Sequence, residues 1–215
     1  AVDAMRVREA GAEALHVHPR GTSGEESLAA ADIAATLAAV REAVPDMPVG
    51  VATGAWIETN TANRVALIAG WTSLPDYASV NLSEEGAFEV MDTLLHIGVG
   101  IEAGIWDEAD ARRFMAYPRR ADVLRILIEL QSGDGEEATA TYHATRAILN
   151  EAGVTTPILL HGEGGSVWPM VHLAYAERLD TRVGLEDGLL MPDGRQATDN
   201  AALVAAAQKI MQGAG

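Results

Sequence analysis

Short apolar runs along this chain alternate with longer segments in which apolar residues recur at helical spacing. The short runs predict seven strands, at residues 14–17, 48–52, 77–81, 99–102, 123–130, 157–161 and 181–185. The longer segments predict helices at residues 1–10, 26–44, 59–70, 85–95, 108–117, 136–153, 168–179 and 200–212. One helix comes first, and every later helix follows a strand. This order is typical of a parallel sheet in which a helix connects each strand to the next.

Seven strand–helix units behind an orphan first helix indicate an α/β protein of the (β/α)8 TIM-barrel class that lacks its first strand in this chain. We expect residues 1–215 to form a single barrel domain, because no linker or low-complexity segment divides them. A doubly wound open sheet is the alternative. That fold places a glycine-rich turn after its first strand, whereas this chain has His-Val-His-Pro-Arg at residues 16–20.

The charge balance limits the partners that we expect. The 215 residues include 31 acidic and 15 basic side chains, for a formal net charge of -16. Nucleic-acid surfaces need a basic patch and membrane helices need roughly 18 apolar residues in a row. Neither pattern occurs, so we expect no nucleic-acid and no membrane partner. Cysteine is absent, which excludes thiolate chemistry and fits a cytoplasmic protein. The single lysine, Lys209, makes Schiff-base chemistry improbable.

Polar residues follow the predicted strands at their carboxyl ends, which is where (β/α)8 enzymes hold their active sites. Nearly every strand ends in a group that can bind a ligand or exchange a proton. These groups are His16, His18, Arg20, Thr53, Ser79, Asn81, Glu102, Glu129, His161, Glu163, Arg182, Glu186 and Asp187. A purely structural protein would not need them, so the pattern favours an enzyme.

His16 and His18 lie two residues apart on a predicted strand, so their imidazoles share one face. Such a pair can bind one metal ion if a third ligand lies nearby. Glu186 is the candidate, and Asp187 is the less favoured alternative, because the last strand would lie near the strand of His16 in a barrel. Two histidines and one carboxylate serve catalytic zinc and also iron(II). We favour zinc, because no redox partner is in view.

Other polar features have simpler interpretations. The acidic pairs at residues 25–26, 84–85 and 136–137 fall at predicted helix starts, where carboxylates stabilise the helix dipole without any functional role. The glycine-rich turn at residues 161–166 predicts either an anion site at a helix start or a tight turn that needs glycine. The four tryptophans are expected to be packing residues, although Trp56, Trp106 and Trp168 follow strand ends and could line a pocket.

Several segments together resemble one family, the β-keto acid cleavage enzymes, typified by 3-keto-5-aminohexanoate cleavage enzyme. The similarity covers almost the whole chain. Its most specific part is the pairing of HVHPR with RVGLED about 165 residues later. The matching segments are GAEALHVHPR (11–20), VATG (51–54), YASVNL (77–82), GIEAG (100–104) and TRVGLEDG (181–188).

The resemblance implies a zinc-dependent (β/α)8 barrel that forms homo-oligomers. It implies that a β-keto acid and acetyl-CoA, the co-substrate, give acetoacetate and a new CoA thioester. Carried over by motif, zinc would be held by His16, His18 and Glu186, and Arg182 and Asp187 would form the catalytic pair, with Asp187 as general base. Thr53, Ser79 and Glu102 would bind the substrate.

The chain departs from the family pattern at two points. Members have a complete first strand with an acidic residue near its end, which this chain does not contain, and they carry serine where this chain has Ala52. Two other functions therefore stay open. One is a different metal-dependent barrel lyase or hydrolase that does not use CoA. The other is a binding protein that keeps the barrel without catalysis.

Overall fold

The computed structural model describes residues 1–213 and contains eight α-helices and seven strands. The helices are α1 (Val2–Glu9), α2 (Ala30–Ala43), α3 (Thr61–Ala69), α4 (Ala87–Ile97), α5 (Glu108–Ala116), α6 (Gly135–Glu151), α7 (Val167–Glu177) and α8 (Asn200–Met211). The strands are β1 (Leu15–Val17), β2 (Val49–Ala52), β3 (Tyr77–Asn81), β4 (Gly100–Ile105), β5 (Arg125–Leu130), β6 (Ile158–Gly162) and β7 (Asp180–Thr181). The predicted alternation of strands and helices is confirmed.

The strands form one curled parallel sheet in the order β1-β2-β3-β4-β5-β6-β7. Spatial order follows chain order throughout, so the doubly wound alternative, which needs a reversal of strand order, is wrong. Within residues 1–213, β1 pairs only with β2, and β7 pairs only with β6. The fold is therefore a curled half-barrel of strand–helix units, and the described residues do not close it into a full barrel.

The two faces of the sheet differ in chemistry. One face carries aliphatic side chains that pack with the helices in the main core, among them Val51, Ala78, Ile101, Ile126 and Leu160. The opposite face, which we call the helix-free face, carries the alternate positions. The register places several polar and small residues side by side on it: His16 with Gly50, Ser79 with Glu102 and Arg125, and Glu129 with His161.

A tyrosine spans the first strands of the helix-free face. The Tyr77 hydroxyl, on β3, donates a hydrogen bond of 2.6 Å to the Leu15 carbonyl of β1. Its ring passes over Gly50 of β2, where a Cβ atom would come within 2.0 Å of the ring. The Arg125 guanidinium lies 4.7 Å from the centre of the same ring. Glycine at position 50 is therefore required by this close approach.

Three predicted elements have a boundary that differs by three or more residues in the structure. The fourth strand was expected to end at Glu102 but continues to Ile105, so Glu102 lies inside β4 rather than at its end. The last strand was expected over residues 181–185 but ends at Thr181, because the backbone turns back at Gly184, whose carbonyl accepts from the amides of Asp187 and Gly188. The second helix was expected to begin at residue 26 but begins at Ala30. Within the described chain, no helix combines the length and the apolar character needed to cross a membrane.

Candidate metal centre and active site

His16 and His18 lie on one face at the carboxyl end of β1, as their spacing predicts. His16 is inside the strand and opposite Gly50, and His18 is the first residue beyond the strand. Their Nε2 atoms are 3.3 Å apart and their rings meet edge to face. Both side chains are half-buried. The two Nε2 atoms therefore face one small region at the edge of the sheet.

Glu186 completes a group of three donors. It lies in the turn after β7, and its Oε1 atom is 2.9 Å from Nε2 of His18. One ligand atom from each of His16, His18 and Glu186 lies within 4.8 Å of the others, so the group could hold a metal ion. Two imidazoles and a carboxylate form a donor set suited to zinc. Asp187, the alternative third ligand, is not part of this group.

The pKa values of these groups respond to their surroundings. Burial, together with the neighbouring positive charge of Arg182, lowers the pKa of His16 well below its usual value. Burial also disfavours the charged form of His18, but Glu186 and Glu26 outweigh it and raise the pKa of His18. Glu186 shows the converse effect, since contact with His18 and the charge of Arg182 overcome burial and lower its pKa. At neutral pH His16 is a neutral imidazole and Glu186 is a carboxylate, the states that bind metal.

Glu26 also belongs to this site, although the sequence suggested only a helix-dipole role for it. Because α2 begins later than predicted, Glu26 lies in the preceding loop and faces His18. Its Oε2 atom is 3.0 Å from Nδ1 of His18 and accepts a hydrogen bond of 2.8 Å from the indole of Trp56. The Trp56 ring stacks on the His18 imidazole, with their centres 6.2 Å apart. A glutamate shortly after a His-x-His strand is a weak sequence signal, and only the loop path reveals the contact.

Arg182 and Asp187 form an ion pair beside the three-donor group. Nη2 of Arg182 donates a hydrogen bond of 3.0 Å to Oδ1 of Asp187. The same nitrogen lies 4.0 Å from Glu186 and 3.9 Å from Glu129. Burial would raise the pKa of Asp187, but contact with His161 and the charge of Arg182 lower it to about 2. Asp187 is therefore ionised at neutral pH, and Arg182, whose pKa is raised, stays charged.

His161 and Glu129 extend this cluster along β5 and β6. His161 is fully buried, with Nδ1 at 3.4 Å from Asp187 and Nε2 at 3.8 Å from Glu129. Both ring nitrogens lack a hydrogen bond within the described residues. Glu129 accepts a hydrogen bond of 3.2 Å from the Trp106 indole. Burial and the charge of Glu129 raise the pKa of Glu163, so acidic groups crowd this part of the site.

Thr53, Ser79 and Glu102 lie along the neighbouring strands. Thr53 is buried just beyond β2 and donates a hydrogen bond of 2.7 Å to the Ser79 carbonyl. Ser79 is half-buried on the helix-free face. Glu102 is buried, and its Oε1 atom accepts a hydrogen bond of 2.6 Å from Arg125. Its Oε2 atom has no hydrogen-bond partner in residues 1–213. The structure therefore brings Ser79 and Glu102 together on one face. The Thr53 hydroxyl, in contrast, already donates its proton to a backbone carbonyl.

The glycine-rich turn after β6 meets a structural need. The Gly164 amide donates a hydrogen bond of 2.7 Å to the Asp187 carbonyl. Gly164 has a positive φ of 55°, and a Cβ atom on Gly165 would lie 2.4 Å from the Gly133 carbonyl oxygen. These contacts favour the tight-turn interpretation over the anion site, because one amide of the turn holds the segment that carries Asp187.

Known structures share this fold at low sequence identity. ObcA with oxaloacetate gives a TM-score of 0.79 at 18% identity, and ObcA with a C4-CoA adduct and oxalate gives 0.78 at 17%. The matches cover 100% of this chain and 62% of ObcA, so this chain spans less than two thirds of the length of ObcA. KGPDC from Streptococcus mutans gives 0.54 at 12% identity, and the match covers 98% of this chain and 90% of KGPDC. These similarities show the fold alone.

Sequence comparison identifies the family. No curated protein sequence matches this chain. The beta-keto acid cleavage enzyme family, BKACE, matches it over residues 1–215. This match covers the whole chain and agrees with the resemblance seen in HVHPR and RVGLED. The chain belongs to the beta-keto acid cleavage enzyme family.

Proposed function

We propose that this protein is a zinc-dependent β-keto acid cleavage enzyme that uses acetyl-CoA. The main observation behind the proposal is that a candidate metal-binding group and an arginine–aspartate pair lie next to each other at one end of the sheet. His16, His18 and Glu186 bring three donor atoms within 4.8 Å of one another, and the Arg182–Asp187 pair lies beside them. Family membership supplies the reaction class, and the ObcA complexes with oxaloacetate and a C4-CoA adduct support ligands of this kind.

His16, His18 and Glu186 would hold the zinc ion. The donor set fits, because two neutral nitrogen donors and one carboxylate are typical of catalytic zinc and leave a coordination position for substrate. A bound zinc ion would polarise the keto oxygen of the substrate and make the neighbouring C–H group acidic.

Asp187 is the general base in this proposal. Contact with Arg182 and His161 keeps it ionised but also makes it a weak base, so it accepts a proton only from a C–H group that is already acidified. When Asp187 takes the proton it becomes neutral. The Arg182 charge, no longer matched by its partner, then helps to stabilise the negative charge that develops on the substrate.

The reaction balances without a redox agent. The carbon between the keto and carboxylate groups of the β-keto acid loses a proton to Asp187 and attacks the acetyl-CoA carbonyl, and CoA leaves as a thiolate. The thiolate then attacks the original keto carbonyl, and the bond between that carbonyl carbon and the central carbon breaks. The central carbon regains a proton. The products are acetoacetate and a CoA thioester of the remaining acyl group.

Ser79 and Glu102 would contact the β-keto acid on the helix-free face. The Ser79 hydroxyl can donate to a substrate oxygen, and Oε2 of buried Glu102 can accept a hydrogen bond from the substrate. Thr53 can only accept while its hydroxyl proton is donated to the Ser79 carbonyl. We assign these three residues to substrate binding.

The proposal also covers the domain organisation, cellular location, oligomeric state and partners of the protein. We infer that residues 1–215 form a single domain of the (β/α)8 barrel class, in which closure would need a further strand between β7 and β1. The enzyme would work in the cytoplasm as a homo-oligomer. Its partners would be the β-keto acid and acetyl-CoA.

Product analysis tests the reaction. The protein with zinc and acetyl-CoA is offered a panel of β-keto acids, and acetoacetate and new CoA thioesters are measured by mass spectrometry. Acetoacetate that depends on both substrates is the expected result. Cleavage of a β-keto acid without any CoA product would instead support the CoA-independent lyase or hydrolase.

Metal analysis tests the ligand assignment. The wild-type protein is expected to bind one zinc ion per chain, and His16→Ala should lose it, because the imidazole is a direct ligand. His143→Ala is the matched control, since His143 is exposed on α6. Failure of the wild-type protein to bind zinc would reject the proposed function and favour a non-catalytic binding protein.

A further inference from the structure

The loop between β1 and α2 is built to return the chain to the metal site. Its two limbs are joined by hydrogen bonds from the Gly21 amide to the Glu25 carbonyl and from the Ser27 amide to the Pro19 carbonyl, each 2.9 Å long. Gly24, at the tip, has a φ of +86° that favours glycine. At the far end of the loop, buried Leu28 accepts a hydrogen bond from the Trp71 indole. Glu26 is thus held between two anchored points.

Glu26 meets His18 on the side of the ring away from the other ligands. Oε2 of Glu26 is 3.0 Å from Nδ1 of His18, whereas Oε1 of Glu186 is 2.9 Å from Nε2. The two ring nitrogens therefore face different carboxylates. Because Nδ1 contacts Glu26, this carboxylate is directed at the ring rather than at the three-donor group.

Trp56 fixes Glu26 from the opposite side. Its indole nitrogen donates to the same Oε2 atom, and its ring lies at 22° to the plane of His18. Gly54 provides the space, since a Cβ atom there would lie 2.0 Å from the Trp56 ring. Trp56 thus orients the carboxylate and covers the imidazole, although more than half of its own surface is exposed.

We propose that Glu26 is a positioning residue that holds His18 with its proton on Nδ1 and its Nε2 lone pair directed at the metal, with Trp56 holding Glu26 in place. The inference rests on the proposed zinc site. A neutral imidazole carries one proton, so a carboxylate at Nδ1 selects the form in which Nε2 is free to coordinate. Such a carboxylate also fixes the ring orientation and makes the coordinating nitrogen more basic.

Zinc affinity is the first test. Wild-type protein, Glu26→Ala, Glu26→Gln and Glu25→Ala are titrated with zinc in competition with a chromophoric chelator. Loss of an orienting partner of a metal ligand lowers metal affinity by about 10- to 100-fold, and we expect this for Glu26→Ala. Glu26→Gln should weaken binding less, because its amide oxygen still accepts from both nitrogens. Glu25→Ala, an exposed neighbour, should bind like wild type.

Trp56→Phe separates the hydrogen bond that Trp56 donates to Glu26 from the stacking of its ring on His18. Phenylalanine keeps an aromatic ring over His18 but lacks the N–H donor to Glu26. We expect a smaller loss of zinc affinity than in Glu26→Ala, with unchanged thermal unfolding of the metal-free protein. Equal zinc affinity in wild-type protein and Glu26→Ala would overturn the inference.

Nitrogen-15 NMR of the zinc-loaded protein gives a readout that a merely structural role would not change. The His18 Nδ1 proton should exchange slowly in wild-type protein and rapidly in Glu26→Ala. A proton on Nε2 of His18, or coordination through Nδ1, would also overturn the inference. If wild-type protein binds no zinc, the proposed function fails first. If it binds zinc and the variants bind equally, only the role of Glu26 fails.

Discussion

Two of the buried ion pairs between an arginine and a carboxylate have different surroundings. Arg64 of α3 contacts Glu84 at 3.0 Å, and Arg182 contacts Asp187 at the same distance. Each pair has one almost fully buried member: Arg64 is 1% exposed in the first pair, and Asp187 is 3% exposed in the second. Burial of the charges therefore does not distinguish the two pairs.

The partners of the carboxylates do distinguish them. Both oxygens of Glu84 are occupied by the protein, since Oε2 accepts from the Ala55 amide and Oε1 from the Asn81 side chain. Arg64 also donates to the Glu85 carbonyl. This pair ties three segments of the fold together. We regard it as structural.

The Arg182–Asp187 pair has looser surroundings. The next polar atoms lie 3.4 to 4.0 Å away and belong to His161, Glu129 and Glu186. Nε of Arg182 and both ring nitrogens of His161 have no hydrogen bond within the described residues. Unused polar groups beside an ion pair can serve a ligand, whereas the oxygens of Glu84 are already engaged. A structural pair therefore differs from a candidate catalytic pair in whether the surrounding protein already satisfies its polar atoms, rather than in how deeply it is buried.

Asp187→Asn is expected to have the largest effect. Asparagine keeps the shape but cannot accept the substrate proton, so the turnover number should fall by about 10²- to 10⁴-fold. Zinc content should match wild type, because Asp187 is outside the three-donor group. Steady-state kinetics and metal analysis measure the two quantities. Turnover retained in Asp187→Asn would reject Asp187 as the general base.

Arg64→Ala should affect stability instead. Removing one partner of a buried pair leaves the Glu84 charge uncompensated, which costs about 3–5 kcal/mol of the free energy of unfolding. Denaturant unfolding measures this loss. The double variant Arg64→Met/Glu84→Gln is the control and should lose less, since it leaves no buried charge. A near-normal stability of Arg64→Ala would show that the pair is not a structural tie.

The unfolding free energy of metal-free protein should depend on Asp187 at low pH. The pKa of this group is about 2 in the folded state and about 3.9 in an unfolded chain. The lowered value contributes stability above about pH 4, and this contribution disappears as the pH falls towards 2. It amounts to about 2–3 kcal/mol. Unfolding of wild type and Asp187→Asn between pH 2 and 6 should converge at the acidic end, and a constant difference would contradict this.

The smallest effects are expected from the two hydroxyls near β3. Ser79→Ala should lower kcat/KM, because the transition state loses one hydrogen bond that contributes about 0.5–1.5 kcal/mol of binding free energy. The free energy of unfolding should change little. Thr53→Val should lower the unfolding free energy by a similar amount, because its hydroxyl donates to the Ser79 carbonyl. Kinetics and denaturant unfolding of both variants test the distinction. Equal losses of stability would contradict it.

Periodicity predicted much of the fold, because each strand and helix buries a regular apolar face. It also placed His16 and His18 on one face of β1. The nearness of Glu186 followed from the expectation that the last strand lies near the first in a barrel. In the structure, these three donors meet even though the described strands β7 and β1 do not pair.

Local charge patterns were less informative. Glu26 and Glu84 each belong to a pair of adjacent glutamates near a predicted helix start. Both pairs were therefore expected only to stabilise a helix dipole. The structure instead places Glu26 against His18 and Glu84 against Arg64. Glu26 reaches His18 through the path of the loop before α2, and Glu84 reaches Arg64 of α3 from the loop between β3 and α4. No local sequence pattern encodes either contact. The end of β7 was misplaced for a similar reason, since the turn at Gly184 is fixed by hydrogen bonds from Asp187 and Gly188.

The tyrosine that crosses Gly50 has a consequence for how this sequence can vary. Tyr77 reaches the Leu15 carbonyl only because the intervening strand carries no side chain at that point. Mutations at the two positions are therefore not independent. A relative with a side chain at position 50 must shorten or move the residue at position 77, and it then loses one of the hydrogen bonds that hold the three-residue strand of His16. Among related sequences, we therefore expect substitutions at positions 50 and 77 to occur together.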